Sequence, residues 1–439
     1  MRILFILVFF VFCLTELLSQ GNSSVKTISG IVYDNSDSTT LPFASIHIVA
    51  STYGTVTNAD GYFEIKIPER HLTDTLKISF TGFQSCLINI SQTDSTSSNY
   101  FLKRQTNFLP DFELIEYRDS LTTILFEAFS RLNLNYPKQQ YYQDFFYREM
   151  TFFDDQIVRL IEAAAELQDF GFDSSIDRQR VKVLELRKSD SFIERSLLAR
   201  IAGYGKRNGI LIAIKQDFLR RYKRNNVFHS FDKDPFLAFY DFQFEELVLK
   251  DSVNFYSISF KTNPEKKEIM HYSGTLMVNA ENYAIEEFQY VLPDMFGNIG
   301  KDNPERTEEL NTAWNRNGQY LSKTIIKYRE FEGVYYPYFI QCVLPESSSA
   351  VKKDGTGQQF TEYYVVFNET YISKRDFDRV KRRDKLVSKD LYSIEFDYNE
   401  DFWNNFSILD LPRIDKNALK LLEADQSINL QFKKQGNEK

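Results

Sequence analysis

The chain has 439 residues, 43% hydrophobic and 15% aromatic, with 40 Phe and 26 Tyr, and a formal net charge of −8. That length exceeds one hydrophobic core and calls for two or three domains. The acidic balance excludes wholesale nucleic-acid binding, which needs a basic face, while the aromatic surplus favours β-sheets, whose pleated surfaces suit large flat side chains.

Arg2 is followed by an unbroken apolar run from Ile3 to Leu14, and then by Ser19 and Gln20. This is the layout of a secretory signal peptide, read here as residues 1–20. The run is shorter than the roughly 20 apolar residues that a spanning helix needs. Cys13 lies inside it behind Phe12, where a lipoprotein-type cleavage site wants a small residue, so Cys13 is read as part of the signal. No later segment is apolar enough to span a bilayer. The mature chain keeps Cys86 and Cys342, and their spacing leaves open whether they form one disulfide or stay as two buried thiols.

Residues 25–104 read as short strands divided by turns. Ala44, Ile46 and Ile48 alternate with Ser45, His47 and Val49, and Phe63, Ile65 and Ile67 alternate with Tyr62, Glu64 and Lys66. A period of two is the mark of a half-buried strand. Asn58-Ala59-Asp60-Gly61 is a tight turn in which Gly61 supplies a positive φ. Leu76, Ile78 and Phe80 make the next strand, broken at Gly82. Short strands at this spacing predict a small β-sandwich.

Four segments stand in order here: Gly30-Ile31-Val32-Tyr33-Asp34, Pro42-Phe43-Ala44-Ser45-Ile46, Thr57-Asn58-Ala59-Asp60-Gly61-Tyr62-Phe63 and Ile78-Ser79-Phe80-Thr81-Gly82-Phe83. Together they resemble the carboxypeptidase-regulatory-like domain. The resemblance implies a transthyretin-like or immunoglobulin-like sandwich that binds or props rather than catalyses, at the front of an exported protein of gram-negative bacteria. In such bacteria the domain also precedes outer-membrane receptor barrels, but this length leaves no room for a plug and a many-stranded barrel.

Residues 105–138 read as a helical linker. Leu121, Leu125, Ala128 and Leu132 recur at helical spacing, which predicts a helix over 118–133 that Pro137 ends. From 139 to 372 alternation returns, with strands expected at 253–260, 272–278, 283–290, 320–331, 335–343 and 360–368, and a stretch at 152–165 that fits strand or helix. Asn279-Ala280-Glu281-Asn282 and Glu332-Gly333 are hairpin turns between them. A helical insertion spans about 191–224, and residues 373–439 form a tail that docks on the sheet through Phe402 and Trp403. The expected fold is mainly β: a sandwich, then a larger antiparallel sheet with a few helices on one face. The strand order of this larger part resembles the open half-barrel of periplasmic lipoprotein carriers.

No pattern of catalytic residues stands out. The four histidines are His47, His71, His229 and His271, and none has the Glu three positions on that a carboxypeptidase zinc site requires. There is no G-x-S-x-G elbow. Cys342 sits in a strand-like run that suits packing rather than nucleophilic attack. Gly203 to Gly209 has one residue too many for a dinucleotide loop and follows a helical segment, not a strand. Asn35, Asp37, Asn58 and Asp60 offer oxygen ligands, but turn chemistry accounts for them without calcium. No metal or cofactor is expected. The basic clusters, Lys206, Arg207, Lys215, Arg220, Arg221, Lys223 and Arg224 and then 374–389, are either solvated faces or peripheral contacts to an anionic membrane.

The reading that follows is a non-enzymatic protein of the cell envelope, periplasmic or associated with the outer membrane. In it the β-rich part holds a hydrophobic or extended ligand. Tyr147, Arg148, Glu149, Phe260, Tyr290, Tyr335 and Tyr336 are the candidate ligand-binding residues, because an aromatic-lined groove is where such a ligand would sit. The alternatives are a scaffold that docks a partner at sheet edges, and an enzyme whose site is not written as a motif. A deep apolar cavity would favour the ligand holder, and a filled interior with exposed sheet edges the scaffold.

Overall fold

A computed structural model describes residues 25–93, 97–105, 117–153, 156–175, 178–190, 208–223, 240–263, 272–292, 322–345, 359–372, 380–381, 391–412 and 416–434. The fold is mainly β.

Seven short strands open the chain: β1 (Lys26–Asp34), β2 (Ser45–Ile48), β3 (Gly54–Val56), β4 (Tyr62–Ile67), β5 (Thr75–Ser79), β6 (Cys86–Asn89) and β7 (Ser98–Leu102). They form a three-stranded sheet in the order β4-β1-β7 and a four-stranded sheet in the order β3-β2-β5-β6. The alternation in sequence is the alternation in burial. Phe63, Ile65 and Ile67 of β4 point inward, against Ile28 and Val32 of β1 and against Ile46, Leu76 and Ile78 of the facing sheet. The 58–61 turn closes as its residue types dictate. Asn58 Oδ1 accepts from the backbone N–H groups of Asp60 and Tyr62. Gly61 has φ of 76°, and a Cβ there would lie 2.9 Å from the Val32 carbonyl oxygen.

Two helices follow, α1 (Tyr117–Ser130) and α2 (Leu132–Asn135). Ile124, Leu125, Ala128 and Leu132 bury one side of this pair against the larger sheet.

That sheet has ten strands: β8 (Tyr141–Phe153), β9 (Gln156–Asp169), β10 (Arg180–Lys188), β11 (Tyr240–Lys250), β12 (Val253–Thr262), β13 (Ser273–Asn279), β14 (Ile285–Leu292), β15 (Ser322–Phe331), β16 (Val334–Pro345) and β17 (Gln359–Tyr371). The order is β10-β9-β8-β17-β16-β15-β14-β13-β12-β11, and every pairing is antiparallel. β17 returns to β8, so the outermost strands are β10 and β11 and the sheet stays open. The undecided 152–165 stretch spans the β8–β9 hairpin. β9 is buried along almost its whole length, so alternation disappears from its sequence. The strands at β10 and β11 lie outside the sequence expectation. The β15–β16 turn places Glu332 at φ 53° and Gly333 at φ 78°, the pair of positive values that a two-residue hairpin needs.

One face of this sheet is covered by α1, α2 and two short helices of the insertion, α3 (Gly209–Ile214) and α4 (Phe218–Lys223). The opposite face is covered by the sandwich and by the tail, which contributes α5 (Glu400–Asn405), α6 (Lys416–Leu419) and α7 (Ile428–Lys434). Trp403 of α5 is 4% exposed and packs with Phe146, Leu160 and Tyr364. Phe43 of the sandwich stacks on Phe339 of β16 at 5.1 Å. Cys86 and Cys342 are free thiols, the first half-buried and the second buried. Among the described residues no helix is long and apolar enough to cross a membrane.

Candidate functional site

The seven residues singled out from the sequence are all buried, and they do not line one groove. Tyr147, Glu149, Phe260, Tyr290 and Tyr335 serve the helix-covered side. The Tyr147 hydroxyl donates to Glu149 Oε2 at 2.8 Å, and Arg159 reaches the other carboxylate oxygen at 3.0 Å. Gly209, the first residue of α3, lies directly over this pair. A Cβ there would fall 2.0 Å from the Tyr147 hydroxyl oxygen and 2.4 Å from Glu149 Oε2, so only glycine lets the helix approach. Burial pushes the Tyr147 phenol well above its ordinary pKa, and the neighbouring Glu149 charge adds to this.

Phe260 belongs to an aromatic layer in which Phe218 of α4 stacks on Phe288 at 4.2 Å. The Tyr290 hydroxyl donates to the Gln216 carbonyl oxygen at 2.9 Å, between α3 and α4. Tyr335 accepts from Asn282 Nδ2 at 2.9 Å, and its phenol is pushed up to about 12 by burial. Tyr336 rests edge-on against Tyr141. Arg148 lies on the other face, next to Glu162, which also pairs with Arg187 at 2.5 Å.

The α3–α4 segment is held by two more buried contacts, a hydrogen bond from the Tyr328 hydroxyl to Asp217 and an ion pair between Arg220 and Asp169. Arg220 is 2% exposed. It is an internal clasp, not part of a membrane-facing basic cluster, and that part of the sequence expectation is corrected. Lys206, Arg207 and Arg224, most of the 374–389 cluster, His229, His271 and Gly203 to Arg207 lie outside the described residues. Asp34, beside Asn35 and Asp37, is closed off by Ser36 and Arg104, and no group of three or more potential metal ligands occurs among the described residues.

A cleft of about 490 Å³ opens where the sandwich meets β17 and the β15–β16 turn. The sandwich wall carries Val49, Thr52, His71 and Asp74. The sheet wall carries Phe331, Glu332, Glu369, Tyr371 and Ile372. The two walls are tied together. Thr52 Oγ1 donates to the Thr370 carbonyl oxygen and accepts from the Thr370 N–H, both at 2.9 Å. Arg70 crosses from the sandwich to Glu369 at 2.6 Å. The Tyr371 hydroxyl lies 2.7 Å from Glu369 Oε2 and 2.8 Å from Asp144 Oδ2. His71 Nδ1 lies 2.7 Å from Asp74 Oδ2. Val49 is 43% and Ile372 38% exposed, two apolar rims on an opening of mixed lining that includes the carboxylates Asp74, Glu332 and Glu369. Sequence reasoning missed this cleft because its walls are more than 250 positions apart. Its local signals are the turns at Ala50 (φ 56°) and Glu332 (φ 53°), residue types that rarely take a positive φ.

No curated protein matches the chain. Among solved structures it is similar to a putative outer membrane lipoprotein-sorting protein domain from Vibrio parahaemolyticus, at 8% identity over 59% of this chain and 96% of that one, with a TM-score of 0.21. It is also similar to a DUF1329 family protein from Desulfovibrio piger, at 9% identity over 59% and 96% with a TM-score of 0.22. A third similarity is to a LolA superfamily protein from Nitrosomonas europaea, at 11% identity over 60% and 96% with a TM-score of 0.22. Likeness at these scores carries no argument about ligand or mechanism. The family whose model the chain matches is the CarboxypepD_reg-like domain, over residues 28–111, in agreement with the four motif segments of the sandwich.

Proposed function

We propose that this is an exported, non-enzymatic accessory protein of the cell envelope that binds a partner through the surface its two β-units build together. The observation that carries the reading is the contrast between a filled interior and an open junction. Among the described residues, the helix-covered face is packed with side chains that already have neighbours. The junction leaves a cleft of about 490 Å³, within the range of ligand sites and at a boundary between units, where such sites concentrate. The candidate residues Tyr147, Glu149, Phe260, Tyr290 and Tyr335 then act as the packing that holds α3 and α4 down.

A second reading keeps a hydrophobic ligand on the helix-covered face, beneath a lifted α3–α4 segment. The aromatic layer of Phe218, Phe260 and Phe288 favours it, since lifting this segment would uncover an apolar surface. The export signal and the envelope address rest on the N-terminal apolar run in both cases.

The test is purification of the full chain from its native envelope, followed by native mass spectrometry and lipid extraction. A peptide or protein bound at defined stoichiometry supports the first reading. A stoichiometric acyl lipid supports the second. Turnover of a peptide or glycan, abolished by changing one polar side chain, would refute both.

A further inference from the structure

We infer that the tail segment 406–411 is a pH-sensitive strap. It closes the outer side of β4 and ties the sandwich to the ten-stranded sheet while Asp410 carries a proton, and it loosens when Asp410 ionises. This stands apart from what the cleft binds.

The geometry makes the segment a tie between the two β-units. β4 is an outer strand of its sheet. Ser407, 2% exposed, sits against it. Its Oγ accepts from the Lys66 backbone N–H at 2.9 Å and lies 3.1 Å from the Tyr53 hydroxyl. Its carbonyl oxygen accepts from Asn368 Nδ2 of β17 at 3.3 Å. Further along, the Asp410 and Leu411 carbonyl oxygens accept from Asn58 Nδ2 at 3.4 and 3.3 Å. Leu409 between them is buried in the apolar layer under the tail. The bonds from Asn58 and Asn368 are long, hence weak, so a modest opposing term decides whether the strap stays down.

Asp410 supplies that term. Its Oδ2 is buried and has no hydrogen-bond donor among the described residues. The charged groups that face it are Glu64 and Lys66 of β4, Arg148 of β8 and Glu162 of β9, with the Tyr62 phenol of β4 beside them. The cations are already committed, Lys66 to Glu64 at 2.7 Å and Arg148 to Glu162 at 2.5 Å. A buried carboxylate with neither donor nor cation of its own is costly when ionised, whereas the neutral acid needs no counter-charge. Burial, and then the Glu64 charge, push Asp410 from an ordinary 3.8 up to about 6, and Arg148 and Lys66 offset only part of this. A group whose pKa is raised in the closed state keeps its proton longer there. Closure is therefore fully favoured below 3.8 and weakens as pH rises to about 6, beyond which the loss is complete.

The experiment is hydrogen exchange read by mass spectrometry on the full chain, at about pH 5 and about pH 8, with each rate divided by the intrinsic rate at that pH. In wild type, protection over 404–411 and at the Lys66 amide should fall about tenfold between the two conditions, the change that a rise from 3.8 to about 6 allows across that window. At the higher pH the strap should exchange at least about tenfold faster than β8 and β9, because it opens on its own. Asp410→Asn keeps the size of the side chain and stays neutral, and its strap protection should change by less than about twofold. Glu362→Gln removes another buried carboxylate outside the strap and should leave the wild-type fall at 404–411 intact. Ser407→Ala should expose the Lys66 amide at both pH values. Wild-type protection that is equal at the two pH values, the same fall in Asp410→Asn as in wild type, or a strap that exchanges together with β8 and β9 overturns the inference. So does an unchanged Lys66 amide in Ser407→Ala, since the strap would then not be seated on β4.

Discussion

On one face of the ten-stranded sheet, helices close over a broad aromatic layer and two buried ion pairs, Arg220–Asp169 and Arg159–Glu149; on the other, the sandwich and tail close over a smaller apolar layer and a network of paired charges. The first face is an apolar layer, with Phe218 on Phe288 and Tyr136 stacked on Phe172. The second holds Glu162 between Arg148 and Arg187, Lys327 on Glu287 at 3.2 Å and Lys77 of the sandwich on Asp251 at 2.7 Å. Apolar packing is non-directional and tolerates repacking. Buried ion pairs add little net stability but penalise heavily any arrangement that separates them. The helices are thus held by contact area and by the buried Arg220–Asp169 clasp, whereas the sandwich is held by the Phe43–Phe339 stack and by the partly exposed pairs Lys77–Asp251 and Arg70–Glu369.

The sharpest way to break the comparison is Glu162→Gln, which leaves two buried guanidinium groups short of their carboxylate. Loss of one partner from a buried pair costs about 3–5 kcal/mol, measurable as a lower midpoint in urea unfolding. Burial alone would raise the Glu162 pKa, but Arg148 and Arg187 outweigh it and hold it below its ordinary 4.5. A depressed pKa gives stability that is present above the ordinary value and drains as pH falls through the folded one. Wild-type protein should therefore lose stability below about pH 4.5 more steeply than Glu162→Gln does.

On the helix-covered face, Phe218→Ala removes a stacked ring from α4 and should cost about 3 kcal/mol, the low end for a buried phenylalanine because the segment is short. Hydrogen exchange should rise first at 208–223 and leave the sandwich unchanged. The same protection in α3–α4 as in wild type would mean that the segment is not held by this layer.

Glu362 sharpens the contrast within the charged face. Burial raises its pKa to about 7, only partly countered by the Tyr364 hydroxyl at 2.9 Å. Its sign is the reverse of Glu162. The folded state keeps the proton longer than the unfolded one, so stability falls as pH rises from 4.5 towards about 7. Glu362→Gln keeps an acceptor for Tyr364 and should be more stable than wild type at pH 8 by about 1–3 kcal/mol, with little difference at pH 4. Urea midpoints across that range check this.

The smallest effect is expected at the sandwich clasp. Asp251 is held below its usual pKa by Lys77 and Ser85, which outweigh partial burial. Asp251→Asn should cost only about 0.5–1.5 kcal/mol, seen as faster proteolysis near residue 85 with the ten-stranded sheet still folded.

Strands with one wet face were legible. β4 alternates in sequence and in burial, and the β13–β16 region reads as hairpins because its turns carry Asn and Gly. The two unread strands, β10 and β11, are the two edges of the sheet, where Lys, Arg, Asp and Glu are common and dilute the apolar pattern. The candidate ligand residues were legible as aromatic and charged strand positions. That Tyr147, Phe260 and Tyr290 lie under helices could not be read, because a strand sequence does not say what covers it.

By itself the sequence determined the sandwich, its turn at Asn58–Gly61, the β-rich remainder and the helix after the sandwich, since each follows from local periodicity and from backbone angles that particular residues favour. Only the tertiary structure decided that β17 returns to β8, that Arg220 turns inward to Asp169, and that His71 and Asp74 come to face Glu369 and Tyr371 across one cleft. Those juxtapositions join residues that share no local pattern. They arise from burying two faces of one sheet at once, a constraint on the whole chain that no short window contains.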